Sequence, residues 1–376
     1  MKRLWMIAAA LLLLCWPMTV SAASTPSFSE QWEESGAGAL WDGLPIETRM
    51  QLEALGITEQ TLTGSAELKP DAAWKWLLAL LRTEWSDPVG AGLTVLGVVL
   101  LCALVGSMRH LSENDGVRTL FQSISTLAVC GFLLASLAAL LTRVCDAVES
   151  SLVFMSSFVP VYAGLLAAGG YVTATVSYQT ILLWVGELLM VLLGKVILPV
   201  LMVALAINTV GSVSPAWRLQ QLGNGISKTC TWGMGIVSSF FTGLLSFQTV
   251  VGAAADTVSG RAIRFSIANL IPVVGGTLSE AMLTIKGCLS AVRSTVGMFG
   301  IAVVAILLLP PILSCVGWNL LLSLSGYTAE VFSLDSVASL TRSVGTVLKT
   351  LMALMVMCGV FLIVAITVLM RVGGTG

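Results

Sequence analysis

Phe265-Ser-Ile-Ala-Asn-Leu-Ile-Pro-Val-Val-Gly-Gly276 is the stretch on which the reading of this chain turns. Polar residues precede it (Asp256, Arg261, Arg264). Glu280 and Lys286 follow, and then the apolar run Val296 to Trp318, broken by Pro310-Pro311. Charge, proline and glycine this close to lipid-grade sequence are costly unless they are buried in protein or face a cavity. The stretch therefore reads as the centre of a protein that crosses a membrane several times.

Composition agrees. Of 376 residues, 56% are hydrophobic and 10% charged, and mean hydropathy is +0.94. Soluble domains carry about 25% charged residues. Residues 88–108, 119–142 and 346–370 are nearly free of charge, each near the roughly 20 residues a span needs. A formal charge of −1 with no basic stripe argues against nucleic acid. The eight cysteines are scattered without a CxxC pair and read as small buried hydrophobes. A single histidine, His110, leaves a zinc site without ligands. No nucleophile–base set, phosphate loop or HExxH is present, so neither catalysis nor a metal or cofactor is expected.

Met1-Lys-Arg, the apolar Leu4 to Cys15 and small residues at Val20-Ser-Ala22 form a signal peptide over residues 1–22. Residues 23–87 hold eleven of the chain's twenty acids against four bases, and are expected to form a short extracytoplasmic helical segment. Pro45 and Pro70-Asp71 each start a helix there, and Trp74, Trp76 and Trp85 lead into the first span.

Residues 88–376 form the polytopic membrane domain. Expected spans are 89–108, 120–141, a Pro/Gly segment at 151–178, 179–210, 231–254, the central run to 318, and 346–370. A polar-edged loop is expected at 319–343.

A shift of 112 residues aligns Phe158-Val-Pro160-Val161 with Leu270-Ile-Pro272-Val273, Gly164 with Gly276, and Pro199 with Pro311. The implied halves are about 119–210 and 231–322. Paired, interrupted segments in two halves point to a central site in transporter-like folds. The halves are inverted if both Pro/Gly segments cross the membrane. They are parallel if both re-enter, with Arg261, Arg264, Lys286 and Arg293 then outside. Charge placement favours crossing by the first alone, which gives an all-α fold of about seven spans with a cytoplasmic C-terminus.

Candidate pore, gating or assembly residues follow from charge, proline and glycine at span depth. They are Glu187, Lys195, Pro199, Asp256, Arg264, Asn269, Pro272, Gly275, Gly276, Glu280 and Lys286. Glu187 and Lys195 lie eight residues apart on one helix, about 12 Å along its axis and on the same side. A structural ion pair with other helices, or snorkelling, would explain the same charges.

The chain resembles the stage III sporulation protein AE family. Gly243-Leu-Leu-Ser-Phe-Gln248, Asp256, Arg264-Phe265, Asn269-Leu-Ile-Pro-Val-Val-Gly275 and Glu280 carry the resemblance. Family members often have a lysine before that phenylalanine and an aspartate in place of Glu280. The resemblance implies a multi-pass protein of the mother-cell membrane surrounding the forespore, within a transenvelope channel complex needed for late forespore development. Implied partners are other membrane and ring-forming proteins of that complex and a cytoplasmic secretion-type ATPase, with a homo-oligomer possible. The residues alone leave open a stand-alone secondary transporter and a scaffold anchoring the ring proteins.

Overall fold

Proline lacks an N–H and strands the carbonyl four residues earlier, so a proline inside a helix asks for a donor from elsewhere. Pro88 lies within the 38-residue helix α3 and leaves the Glu84 carbonyl short of its usual partner. Ser314, fully buried on another helix, places its hydroxyl 3.3 Å from that carbonyl and 2.8 Å from the Glu84 carboxylate. The helix passes through the proline without a break.

The computed structural model describes residues 37–58, 70–107, 115–213, 219–270 and 275–371; description of side chains stops at 247 and resumes at 289. The signal peptide lies outside the described residues. Elements run α1 (Ala37–Asp42), α2 (Ile46–Ala54), α3 (Pro70–Ser107), α4 (Asp115–Ala168), α5 (Val172–Met190), a π-helical segment (Val191–Ile197), α6 (Leu198–Val213), α7 (Leu219–Leu270), α8 (Gly275–Val331) and α9 (Asp335–Arg371). Among the described residues there is no strand. Among the described residues, six helical stretches are long and apolar enough to cross a membrane: Ala73–Leu104, Ser123–Ala168, Thr175–Ser212, Leu219–Phe247, Leu289–Val331 and Asp335–Arg371. The fold is an all-α polytopic membrane protein.

Contacts set the direction of each helix. Glu84 meets Ser314, Pro88 meets Gly317 and Gly92 meets Leu321, so α3 and α8 run parallel. Gly297 meets Met370, Leu308 meets Gly359 and Gly326 meets Thr341, so α8 and α9 form an antiparallel hairpin over their length. Phe158 packs on Gly300 and Gly169 lies beside Arg293, so α4 opposes α8. Asn208 meets Gly223 and Tyr178 donates to the Leu245 carbonyl at 3.0 Å, so α7 opposes α5 and α6. The spans thus alternate in direction. Trp41, 6.1 Å from the Phe299 ring, puts α1 at the end of the bundle where Met370 also lies.

Three expectations change. Residues 319–343 are not a loop: α8 runs to Val331, and a tight turn at Ser333 (φ 57°) leads into α9 at Asp335. Pro160 and Gly164 do not interrupt a span, because α4 continues to Ala168. Its stop is Gly170 (φ 86°), where Tyr171 N–H bonds Leu166 O and Gly170 N–H bonds Ala167 O in a Schellman cap. The two halves (α4 with α5–α6, and α7 with α8) run in the same sense, which the sequence left open. Arg293 and the end of α9 lie at the same end of the bundle as α1, so the C-terminus is not opposite the N-terminal segment.

Close approach explains one glycine directly. A Cβ at Gly300 would lie 2.6 Å from the Phe158 ring, whereas Gly225 faces open space. Gly300→Ala should cost roughly 1–3 kcal/mol by overpacking and lower the thermal midpoint in detergent, while Gly225→Ala leaves it unchanged. Ser314→Ala should cost about 1–3 kcal/mol, because the Glu84 carbonyl loses its donor. The same midpoint reads it, with Ser323→Ala on the exposed face as the silent control.

Candidate functional site

Pro199 shapes the segment that precedes it. It cannot bond the Lys195 carbonyl and its ring crowds that carbonyl. The chain responds by widening, with Leu198 N–H reaching back five residues to Leu193 O. A seven-residue π segment is long for a form that usually occurs as a single turn.

Glu187, Lys195 and Pro199 are all exposed on this outer face. Around them stand the exposed Trp184, Leu188, Val191, Val196 and Val200. Both charges stand on the outside of the bundle. They converge on no interior site.

The other candidates divide between backbone and side chain. Asp256, Arg264 and Asn269 belong to the C-terminal part of α7, and Gly275, Gly276, Glu280 and Lys286 to the start of α8. Their side chains lie outside the described residues, and so does Pro272 altogether. The motif separates α7 from α8, whereas its counterpart Pro160 sits within α4.

The buried cation among the described residues is Arg293, 6% exposed. Its Nε donates to the Leu289 carbonyl at 3.3 Å, and its guanidinium stands 5.2 Å from the Tyr171 ring centroid. A Cβ at Gly169 would lie 3.6 Å from its Cζ. A cation here faces the carbonyl end of α4, where the helix dipole is negative. Arg293 therefore pins the α4–α5 corner to α8. Sequence reading counted it only as a topology charge. Its signal was an arginine opening a long apolar run, with no histidine or acid nearby to mark it.

Large side chains pack the interior of the described bundle. Phe158, Tyr162, Leu166, Tyr178, Leu201, Met234 and Leu340 are fully buried, and Phe158 stacks on Tyr162 at 5.5 Å. Most buried polar groups are hydroxyls, Ser151, Thr209, Ser212, Ser227 and Ser314 among them. Asn208 is fully buried with both side-chain amide atoms unpartnered, packed so tightly on Gly223 that a Cβ there would meet its Oδ1 at 2.2 Å. Among the described residues no three His, Cys, Asp or Glu side chains group together. Cys130, Cys315 and Cys358 are free and buried, as small hydrophobes.

A different polar feature opens between α8 and α9. A cleft of ≈ 110 Å³ is lined by Ser323, Tyr327, Glu330, Thr341, Arg342 and Lys349, among others. Arg342 Nη2 pairs with Glu330 Oε1.

Among the described residues, an all-helical bundle of six candidate spans with charge on its outer face defines a polytopic membrane protein. A family model described as stage III sporulation protein AE matches residues 53–373, and the chain belongs to that family of sporulation proteins. Among curated proteins it is similar to stage III sporulation protein AE of Bacillus subtilis (strain 168). Identity there is 20% over 252 residues, covering 66% of this chain and 62% of that relative; the match thus spans less than two thirds of the relative's length. No solved structure matches.

Arg293→Gln should loosen the α4–α5 corner by about 2 kcal/mol, the scale of a desolvated cation–π contact. Faster amide exchange at Gly169 to Tyr171 would report it, with Arg293→Lys falling between the two.

Proposed function

We propose that this chain is the permease-like membrane component of a transenvelope channel complex linking mother cell and forespore, needed for late forespore development. It works as a multi-pass protein of the mother-cell membrane that surrounds the forespore. Its partners are other membrane and ring-forming proteins of the complex and a cytoplasmic secretion-type ATPase. It needs no catalysis or cofactor of its own.

One observation carries this reading: Glu187 stands exposed among apolar side chains on the outer face of a candidate span, about two turns from Lys195 and inside the charge-poor depth. A charged side chain at bilayer depth costs about 2.5–3.5 kcal/mol on insertion scales. That cost is relieved when the face meets protein rather than lipid, so the chain reads as a subunit of an assembly. A stand-alone transporter needs polar groups gathered at a midplane site. Here the described axis is packed with large apolar and aromatic side chains, which favours a conduit formed between subunits.

The scaffold reading keeps one support. Ile46 and Met50 of α2 are 76% and 64% exposed, although the opposite face of the segment is buried against the bundle. A ring protein could dock there.

The test is made in sporulating cells whose sole copy is this chain. Glu187→Lys and Lys195→Glu should each cut heat-resistant spores at least about tenfold, the equivalent of roughly 1.4 kcal/mol in an equilibrium, with the protein still in the membrane. Cross-links from cysteines at 184 and 188 to neighbouring subunits should vanish. Normal sporulation with both charges reversed would sink the reading. Loss caused instead by Ile46→Glu with Met50→Glu would favour the scaffold.

A further inference from the structure

We propose that the cleft between α8 and α9 binds the phosphodiester headgroup of an anionic phospholipid through Lys349 and Arg342.

Along α9, before its terminal Arg371, three positions are exposed: Asp335, Arg342 and Lys349. All three are charged, and they recur every seven residues. That spacing places them in one narrow stripe along the helix. The rest of α9 is buried or half-covered, so this stripe is where solvent or ligand reaches the helix. Arg342 and Lys349 enter the cleft together with Tyr327, Ser323 and Thr341.

The charges in the cleft do not cancel. Arg342 is held through Nη2 by Glu330. A guanidinium has five N–H donors, so the rest of its fork remains for a second acceptor. Among the described residues Lys349 has no carboxylate within ion-pair distance. Asp335 lies at the far end of the stripe, about 21 Å from Lys349 along the axis. The inner end of the cleft is therefore basic, with hydroxyls beside the cations. This is the chemistry that binds a phosphate.

Position selects the lipid over a free anion. From Thr350 to Met370 there are no charged residues, a length of about 31 Å at 1.5 Å per residue, which matches a hydrocarbon core of about 30 Å. Lys349 thus stands where the core ends and headgroups begin. Past it the uncovered stripe of α9 turns apolar through the half-buried Ala353, Val356 and Val360, a surface for an acyl chain. Tyr327 at the rim is 66% exposed, an amphipathic ring of the kind enriched at membrane surfaces. Basic pockets between spans at this level are a known setting for anionic headgroups. The inference is independent of the channel reading.

Native mass spectrometry of the full purified chain, with phosphatidylglycerol or phosphatidylcholine added, tests it. The wild type should retain phosphatidylglycerol over phosphatidylcholine by roughly fivefold per cation, the scale of one basic side chain at an anionic surface. Lys349→Gln with Arg342→Gln should bring retention down to the phosphatidylcholine level, and Lys349→Arg should preserve it. Lys228→Gln, which removes one positive charge from the exposed face of α7 instead, should leave it intact. Three results overturn the proposal: equal retention of both lipids by the wild type, an equal loss in Lys228→Gln, or displacement of the lipid by millimolar inorganic phosphate. Helical content by circular dichroism confirms that each variant is folded, and both cations are exposed enough to be removed without opening the core.

Discussion

Ser314 reaching the Glu84 carbonyl shows the constraint on which this structure depends. In a bilayer every backbone polar group must find a partner inside the protein. Pro88 and Pro199 each remove one backbone donor from a helix, and the two are met differently. At Pro88 the answer comes from another helix, and it fixes the register of α3 on α8. Trp85 and Pro88 then close over Gly317, and Gly92 admits Leu321. At Pro199 the answer is local: the helix widens into the π segment, and Leu198 bonds five residues back. Pro160 lies on an exposed face of α4, and the helix carries on.

Helix length adds a second constraint. Ser123–Ala168 and Leu289–Val331 have 46 and 43 residues, about 69 and 65 Å at 1.5 Å per residue. A hydrocarbon core is about 30 Å thick, so the bundle stands roughly twice as tall. Charges gather near half its height. Arg143 pairs with Asp87 at 2.9 Å; counted along their helices from the Arg293 end, this pair, Lys195 and Lys349 all lie about 30–36 Å up. Exposed apolar side chains occur on both sides of that belt, with Leu93, Leu101 and Leu127 above and Val176, Trp184 and Phe240 below. One bilayer core covers one half at a time.

The membrane class, the apolar runs and the helical content were legible in composition, because lipid imposes length and hydropathy on each span separately. Continuity was not. Pro88 and Pro160 are breakers by local rule, and only a partner such as Ser314 shows that a helix survives one. The polar edge at 319–343 looked like a loop. Its polar residues instead line one face of two helices, with Ser323 and Glu330 on α8 opposite Arg342 on α9. For the site, the sequence identified charges at span depth but could not say which way they pointed. Glu187 and Lys195 point outward, while Arg293, passed over, points in. Hydropathy assigns depth; facing depends on neighbours far away in sequence.

The direction of the halves bears on how such a protein would work. Inverted halves suit a rocking transporter, because exchange of the two conformations turns one access route into the other. Here α4 with α5–α6 and α7 with α8 both descend and then return, so no such exchange is built into the chain. The corner of the first half is locked, with a Schellman cap at Gly170 and Arg293 over Tyr171. A buried cation there ties the α4–α5 corner to α8, so the descent of α4 and the return of α5 are held in register with the helix they pack against.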